Sequence, residues 1–143
     1  MTLLVKKLSK TATIPTVAHP NEDIGYDISS DEDIIIPPHS GKWISTGIAI
    51  GFDNPEHGCK IEGRSSLASL DIFPIGGIID PGYRGEVKVR LYNGSNEEYL
   101  VFRGDKIAQL VRHVELANDS VEVINIPVFS LQRGDKGFGS SNK

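Results

Sequence analysis

Gly76-Gly77-Ile78-Ile79-Asp80-Pro81-Gly82-Tyr83-Arg84-Gly85-Glu86 runs directly into Val87-Lys88-Val89-Arg90-Leu91-Tyr92, and the reading of this stretch decides the fold. Adjacent glycines permit backbone shapes that side-chain-bearing residues resist, and Pro81-Gly82 is strong turn chemistry. Val87, Val89 and Leu91 then alternate with Lys88, Arg90 and Tyr92, which is the period of a half-buried strand. The stretch predicts strand, turn and strand, with Asp80 held on a hairpin and Tyr83 just beyond it. An acidic side chain so placed is either a turn aspartate capping local N–H groups or a carboxylate fixed for chemistry.

Working outward, Leu3 to Leu8, Asp23 to Ile28, Asp33 to Ile36, Lys42 to Phe52 and Cys59 to Glu62 read as short strands before this stretch. Glu98 to Arg103, Lys106 to Leu116 and the apolar run Val121 to Phe129 follow it, with Gly104-Asp105 as a turn. Ile44, Ile48 and Ile50 predict one buried face for the strand Lys42 to Phe52. Arg64 to Leu70 is the one short helix, with serines to cap its start. Roughly ten short strands with almost no helical periodicity predict an all-β barrel or sandwich rather than alternating strand-helix units.

At 143 residues the chain makes one domain, large enough for a core without disulfide or metal. Lys plus Arg number 15 against 19 Asp plus Glu, a net charge of −4. That balance argues against nucleic-acid binding through a general basic surface, but not against a local arginine cluster that meets a polyanion. No apolar run is long enough to span a bilayer, and the N-terminus lacks a signal-peptide core. Cys59 is the sole cysteine, which excludes an internal disulfide and points to a reducing compartment. The expectations are no membrane, no nucleic acid and a cytoplasmic location, or the host cytoplasm or nucleus for a viral chain.

Four places besides Asp80 carry candidate chemistry. Arg64-Ser65-Ser66 offers a guanidinium, two hydroxyls and a helix start, which suit a phosphate or equally a structural cap. Gly104-Asp105-Lys106-Ile107-Ala108-Gln109 places a turn carboxylate ahead of a strand bearing an amide. Arg133 to Ser141 combines glycines, cations, Phe138 and hydroxyls. Such an arm either stays unstructured or wraps a nucleotide, stacking the ring on a base. Asp23 and Asp27 flank Gly25 and are either solvated turn carboxylates or groups that orient a metal's water shell.

Taken in order, Ile24 to Ile28, Gly63 to Ala68, Gly77 to Glu86, Gly104 to Leu110 and Arg133 to Ser141 resemble the five motifs of the homotrimeric deoxyuridine triphosphatases, the dUTPases. The resemblance covers about residues 23–141. Ile24, Gly63, Lys136 and Ser141-Asn142 depart from the usual residues of those motifs without removing a group that the chemistry requires.

The resemblance implies a distorted jelly-roll-like β-barrel over residues 1–126 and a flexible C-terminal arm, 127–143, that closes an active site of a homotrimer. It implies magnesium-assisted attack of water on the α-phosphorus of dUTP, giving dUMP and pyrophosphate, which limits uracil in DNA and supplies dUMP. Asp80 corresponds to the carboxylate that activates the water, and Tyr83 to the ring that packs under deoxyribose and excludes ribose. Arg64, Ser65, Ser66 and Gln109 correspond to phosphate-contacting groups, and Asp27 to a position that meets Mg2+ only through water. Gly77 and Ile79 belong to the backbone segment, about Ile75 to Ile79, that reads uracil. Arg133 would reach the γ-phosphate, and Phe138, with Gly139 and Ser140, would cover the base. The sister family of dCTP deaminases shares the Arg-Ser-Ser-Leu-Ala and Ile-Asp-Pro-Gly stretches. Deamination needs a glutamate where this chain has Arg90, and a guanidinium cannot act as a general base.

Overall fold

The alternation after Glu86 becomes a strand whose Val89 and Leu91 are fully buried while Lys88 stays exposed. The structure, a computed structural model, describes residues 2–128. Over these the chain forms β1 (Leu3–Lys7), β2 (Gly25–Ser29), β3 (Ile34–Ile36), β4 (Ser40–Ser45), β5 (Ile48–Phe52), β6 (Gly58–Glu62), α1 (Ser65–Ala68), β7 (Ile72–Pro74), β8 (Ile78–Ile79), β9 (Lys88–Asn93), β10 (Tyr99–Val101) and β11 (Lys106–His113). Every pairing is antiparallel. The sheets are β1-β5, β10-β3, β2-β11-β6-β8 and β4-β9-β7. The all-β fold with a single short helix is as the sequence predicts.

Side chains from each sheet meet in one core, which includes Ile28, Ile36, Ile44, Ile48, Leu91, Val101 and Leu110. Full burial of each such side chain is worth ~1.5–3 kcal/mol. Asn93 is also fully buried, and its polar atoms are all used. Its Nδ2 donates to the Ile36 and Glu97 carbonyls at 3.0 and 2.7 Å, and its Oδ1 accepts from the Ser95 N–H and hydroxyl.

The sequence expectations need correction at four places. Asp80 does not sit on a hairpin: β8 pairs with β6, whereas β9 lies between β4 and β7. With both its edges taken, β9 has none left for β8, so the Asp80 turn carries the chain from one sheet to another. The single strand expected over Lys42 to Phe52 is two, β4 and β5, broken at Gly47, whose φ is +68°. That left-handed backbone favours glycine, and a Cβ there would lie 2.7 Å from an Asp31 carboxylate oxygen. No side chain caps α1; the Ser65 carbonyl instead accepts the Ser69 hydroxyl. Finally, Val121 to Val128 forms no strand and is exposed throughout, with Ile124 at 99% exposure.

Candidate active site

Gly77 fixes the approach to the Asp80 turn. Its φ is +114°, and a Cβ on it would come within 2.7 Å of the Ile61 Cβ, so only glycine lets β8 close on β6 here. The Gly77 carbonyl accepts the Ile61 N–H at 2.7 Å. After Ile79 the chain turns, with Tyr83 N–H bonded to the Asp80 carbonyl at 3.0 Å. The Tyr83 hydroxyl donates to the Glu86 carbonyl at 2.8 Å, leaving the ring half exposed. Glu86 in turn accepts the Ser45 hydroxyl and, at 2.9 Å, the Gly47 N–H. Gly77, Ile79, Asp80 and Tyr83 all line a cavity of about 510 Å³. Trp43, Glu86, Lys88 and Arg90 also line it, and the Arg90 guanidinium lies 5.7 Å from the Trp43 ring centroid. That size is in the range of small-molecule sites.

A second cluster forms where β11 runs between β2 and β6. Asp27 holds two cations, Arg64 Nε at 3.4 Å and Lys106 Nζ at 3.3 Å, and Arg64 Nη1 also reaches the Lys106 carbonyl at 3.4 Å. Gln109 Nε2 donates to the Gly63 carbonyl at 2.9 Å. Gly25 makes room for this amide, because a Cβ there would collide with Gln109 Oε1. Ser65 and Ser66 follow Arg64 on the exposed side of α1. One carboxylate against two cations leaves surplus positive charge for an anion, and part-exposed charges stay available to one.

The sequence-predicted residues thus fall into two groups. Asp80, Tyr83, Gly77 and Ile79 share the cavity; Asp27, Arg64 and Gln109 share the charged cluster, beside Ser65 and Ser66, and none of these five lines the cavity. Asp80 lies opposite Gly58 at one end of β6, while Arg64 follows Glu62 at the other. The strand between Gly58 and Glu62 alone spans roughly 13 Å. Arg133, Phe138, Gly139 and Ser140 lie outside the described residues. Sequence reasoning missed Trp43, Glu86, Lys88, Arg90 and the Lys106 ammonium. For Lys88 and Arg90 the signal existed, since strand alternation puts them opposite the core. For Trp43 and Lys106 it did not, because their neighbours come from pairing between distant strands.

Among the described residues no group of three or more His, Cys, Asp or Glu is placed to hold a metal ion. Asp27, part exposed in the charged cluster, would suit contact with a hydrated ion through water rather than as a direct ligand.

An antiparallel all-β barrel with a carboxylate-bearing turn at one strand end and a cation pair at the other is compatible with a phosphorylated ligand. The dUTPase family model matches residues 10–142. The deoxyuridine 5'-triphosphate nucleotidohydrolase of Paramecium bursaria Chlorella virus 1 is 41% identical over 140 residues, covering 97% of this chain and 96% of that protein. The enzyme of the same name from Clostridium kluyveri is 39% identical, covering 99% and 98%. A variant dUTPase of Staphylococcus bacteriophage 80alpha, solved with dUpNHpp, superposes with a TM-score of 0.87 at 28% identity over 98% of each chain. The chain belongs to the dUTPase family, and its barrel is the jelly-roll fold of that family.

Proposed function

We propose that the chain hydrolyses dUTP to dUMP and pyrophosphate, with Asp80 as the base. The observation that carries this reading is the placement of Asp80 and Tyr83 together in the wall of one nucleoside-sized cavity. The relatives' names and the dUpNHpp in the phage structure support it. Asp80 accepts a proton from water, Tyr83 presents its ring to the sugar, and the backbone groups of the segment Ile75 to Ile79 that β6 leaves unpaired face a base edge. Cytosine reverses donor and acceptor there, leaving buried groups unpaired, which is heavily penalised. Arg64, Ser65, Ser66 and Gln109 bind and orient the triphosphate. Asp27 would meet Mg2+ only through water, and the ion would neutralise phosphate charge. Arg133 and Phe138, with Gly139 and Ser140, supply the closing contacts.

The separation along β6 supports the finer reading of a homotrimer with shared sites. With the base and the phosphate cations of one copy at opposite strand ends, a nucleotide can be served by the Asp80 turn of one copy and the Arg64 cluster of another. Pyrophosphate release from dUTP, compared with Asp80→Asn, tests the activity. The wild type is expected to turn over and the variant to lose about 10²–10⁴-fold. Equal release from both would overturn the assignment of the base.

A further inference from the structure

We propose that Arg84 is a positioning residue that braces the Asp80 turn against β5; this deepens the reading of Asp80 as the base and rests on it. The turn needs such a brace, because β8 contributes only Ile78 and Ile79 to pairing with β6 before the chain leaves the sheet. Arg84 Nη1 donates to the Pro81 carbonyl at 2.6 Å and to the Tyr83 carbonyl at 2.8 Å, closing the turn from outside. Hydrogen bonds from a charged donor are stronger than neutral ones, and one guanidinium nitrogen carries both protons.

The same guanidinium lies over Gly51 of β5, where a Cβ would stand 3.5 Å from Arg84 Cζ. At the other flank Glu86 is tied to the β4–β5 connection through the Gly47 N–H at 2.9 Å. The carboxylate-bearing turn is therefore tied to the β4–β5 connection by Glu86 and packs beside Gly51, near the end of β5, through Arg84. A Cβ at Gly51 would sit at ordinary contact distance from the guanidinium, so a branched side chain rather than a methyl is needed to crowd it.

Arg84→Ala and Gly51→Val, singly and together, test the brace, with Arg84→Lys as a conservative control. Arg84→Ala is expected to lower kcat on the order of 100-fold, since a misplacement of about 1 Å costs that much. KM should stay within about threefold, because Arg84 does not line the Asp80 cavity. Gly51→Val should reproduce the kcat loss by taking the guanidinium's space, and the double variant should be no worse than either, because both remove one interaction. Arg84→Lys, which keeps a cationic donor, should recover part of kcat. Additive losses, or an effect on KM or Tm without one on kcat, would overturn the brace. A wild-type chain without turnover would overturn the reading of Asp80 and the brace with it, whereas a working wild type with Arg84→Ala at full kcat would overturn the brace alone.

Discussion

At this site the side-chain types are more legible in the sequence than the neighbours those side chains meet. Asp80 and Tyr83 could be named from the turn, and Asp27, Arg64 and Gln109 from their motifs. That Asp27 spends its carboxylate on both Arg64 and Lys106 is a product of β11 lying beside β2, which no local pattern encodes. The close approach of Gln109 to Gly25 yields a direct prediction. Gly25→Ala is expected to push the amide off the Gly63 carbonyl and lower kcat/KM on the order of tenfold, with the far-UV CD spectrum retained. Asp31 is buried and accepts the Thr11 hydroxyl at 2.7 Å, which, more than the nearby Arg103, holds its carboxyl below the ordinary 3.8. A depressed value means the folded state favours the charged form, so this stabilisation is complete above the ordinary value and is lost as pH falls through the folded one. Asp31→Asn should therefore lower Tm at neutral pH and show a shallower acid decline, measurable by thermal melts below about pH 5. Burial pushes the Cys59 thiol up to about 11. Iodoacetamide at pH 8 should leave the native chain unlabelled and label it fully in denaturant, as counted by mass spectrometry.

At the level of elements, periodicity located strands well and misjudged their partners. The alternation from Val87 to Leu91 correctly marked a core-facing strand, but alternation is silent on which edges a strand uses. Asp80 was expected on a hairpin because turn chemistry between two strand-like runs is the usual hairpin signal. Two-sided pairing of β9 with β4 and β7 overrides that signal. The neighbours of Gly47 fit one alternating run that hides it, while its positive φ turns the chain from β4 to β5 where a Cβ would meet Asp31, Ala12 and Ser9. Asn93 shows how the ends of such strands are fixed, since it ties β9 to the carbonyls of Ile36 and Glu97. Asn93→Leu is expected to destabilise by about 2–4 kcal/mol, because it strands buried acceptors and misfits the space. Urea melts with an unchanged m-value would show this as a lower midpoint.

For the molecule as a whole, the proposed sharing of sites between copies, drawn from the separation of the Asp80 turn and the Arg64 cluster along β6, can be tested by complementation. Asp80→Asn and Arg64→Ala chains should each be nearly inactive, yet co-refolded mixtures should regain activity, with about a quarter of sites intact. A mixture no better than its components would place base and cations in one copy. Cleavage of the chain after Gln132 removes Arg133, Phe138, Gly139 and Ser140 and is expected to leave an assembled barrel with little turnover. The most direct test of the central claim, a water aimed by Asp80 at the innermost phosphorus of dUTP, is turnover in ¹⁸O-labelled water followed by mass spectrometry of both products. The label is expected in dUMP, with its appearance slowed in proportion to the rate loss of Asp80→Asn. Label in the pyrophosphate instead would contradict it.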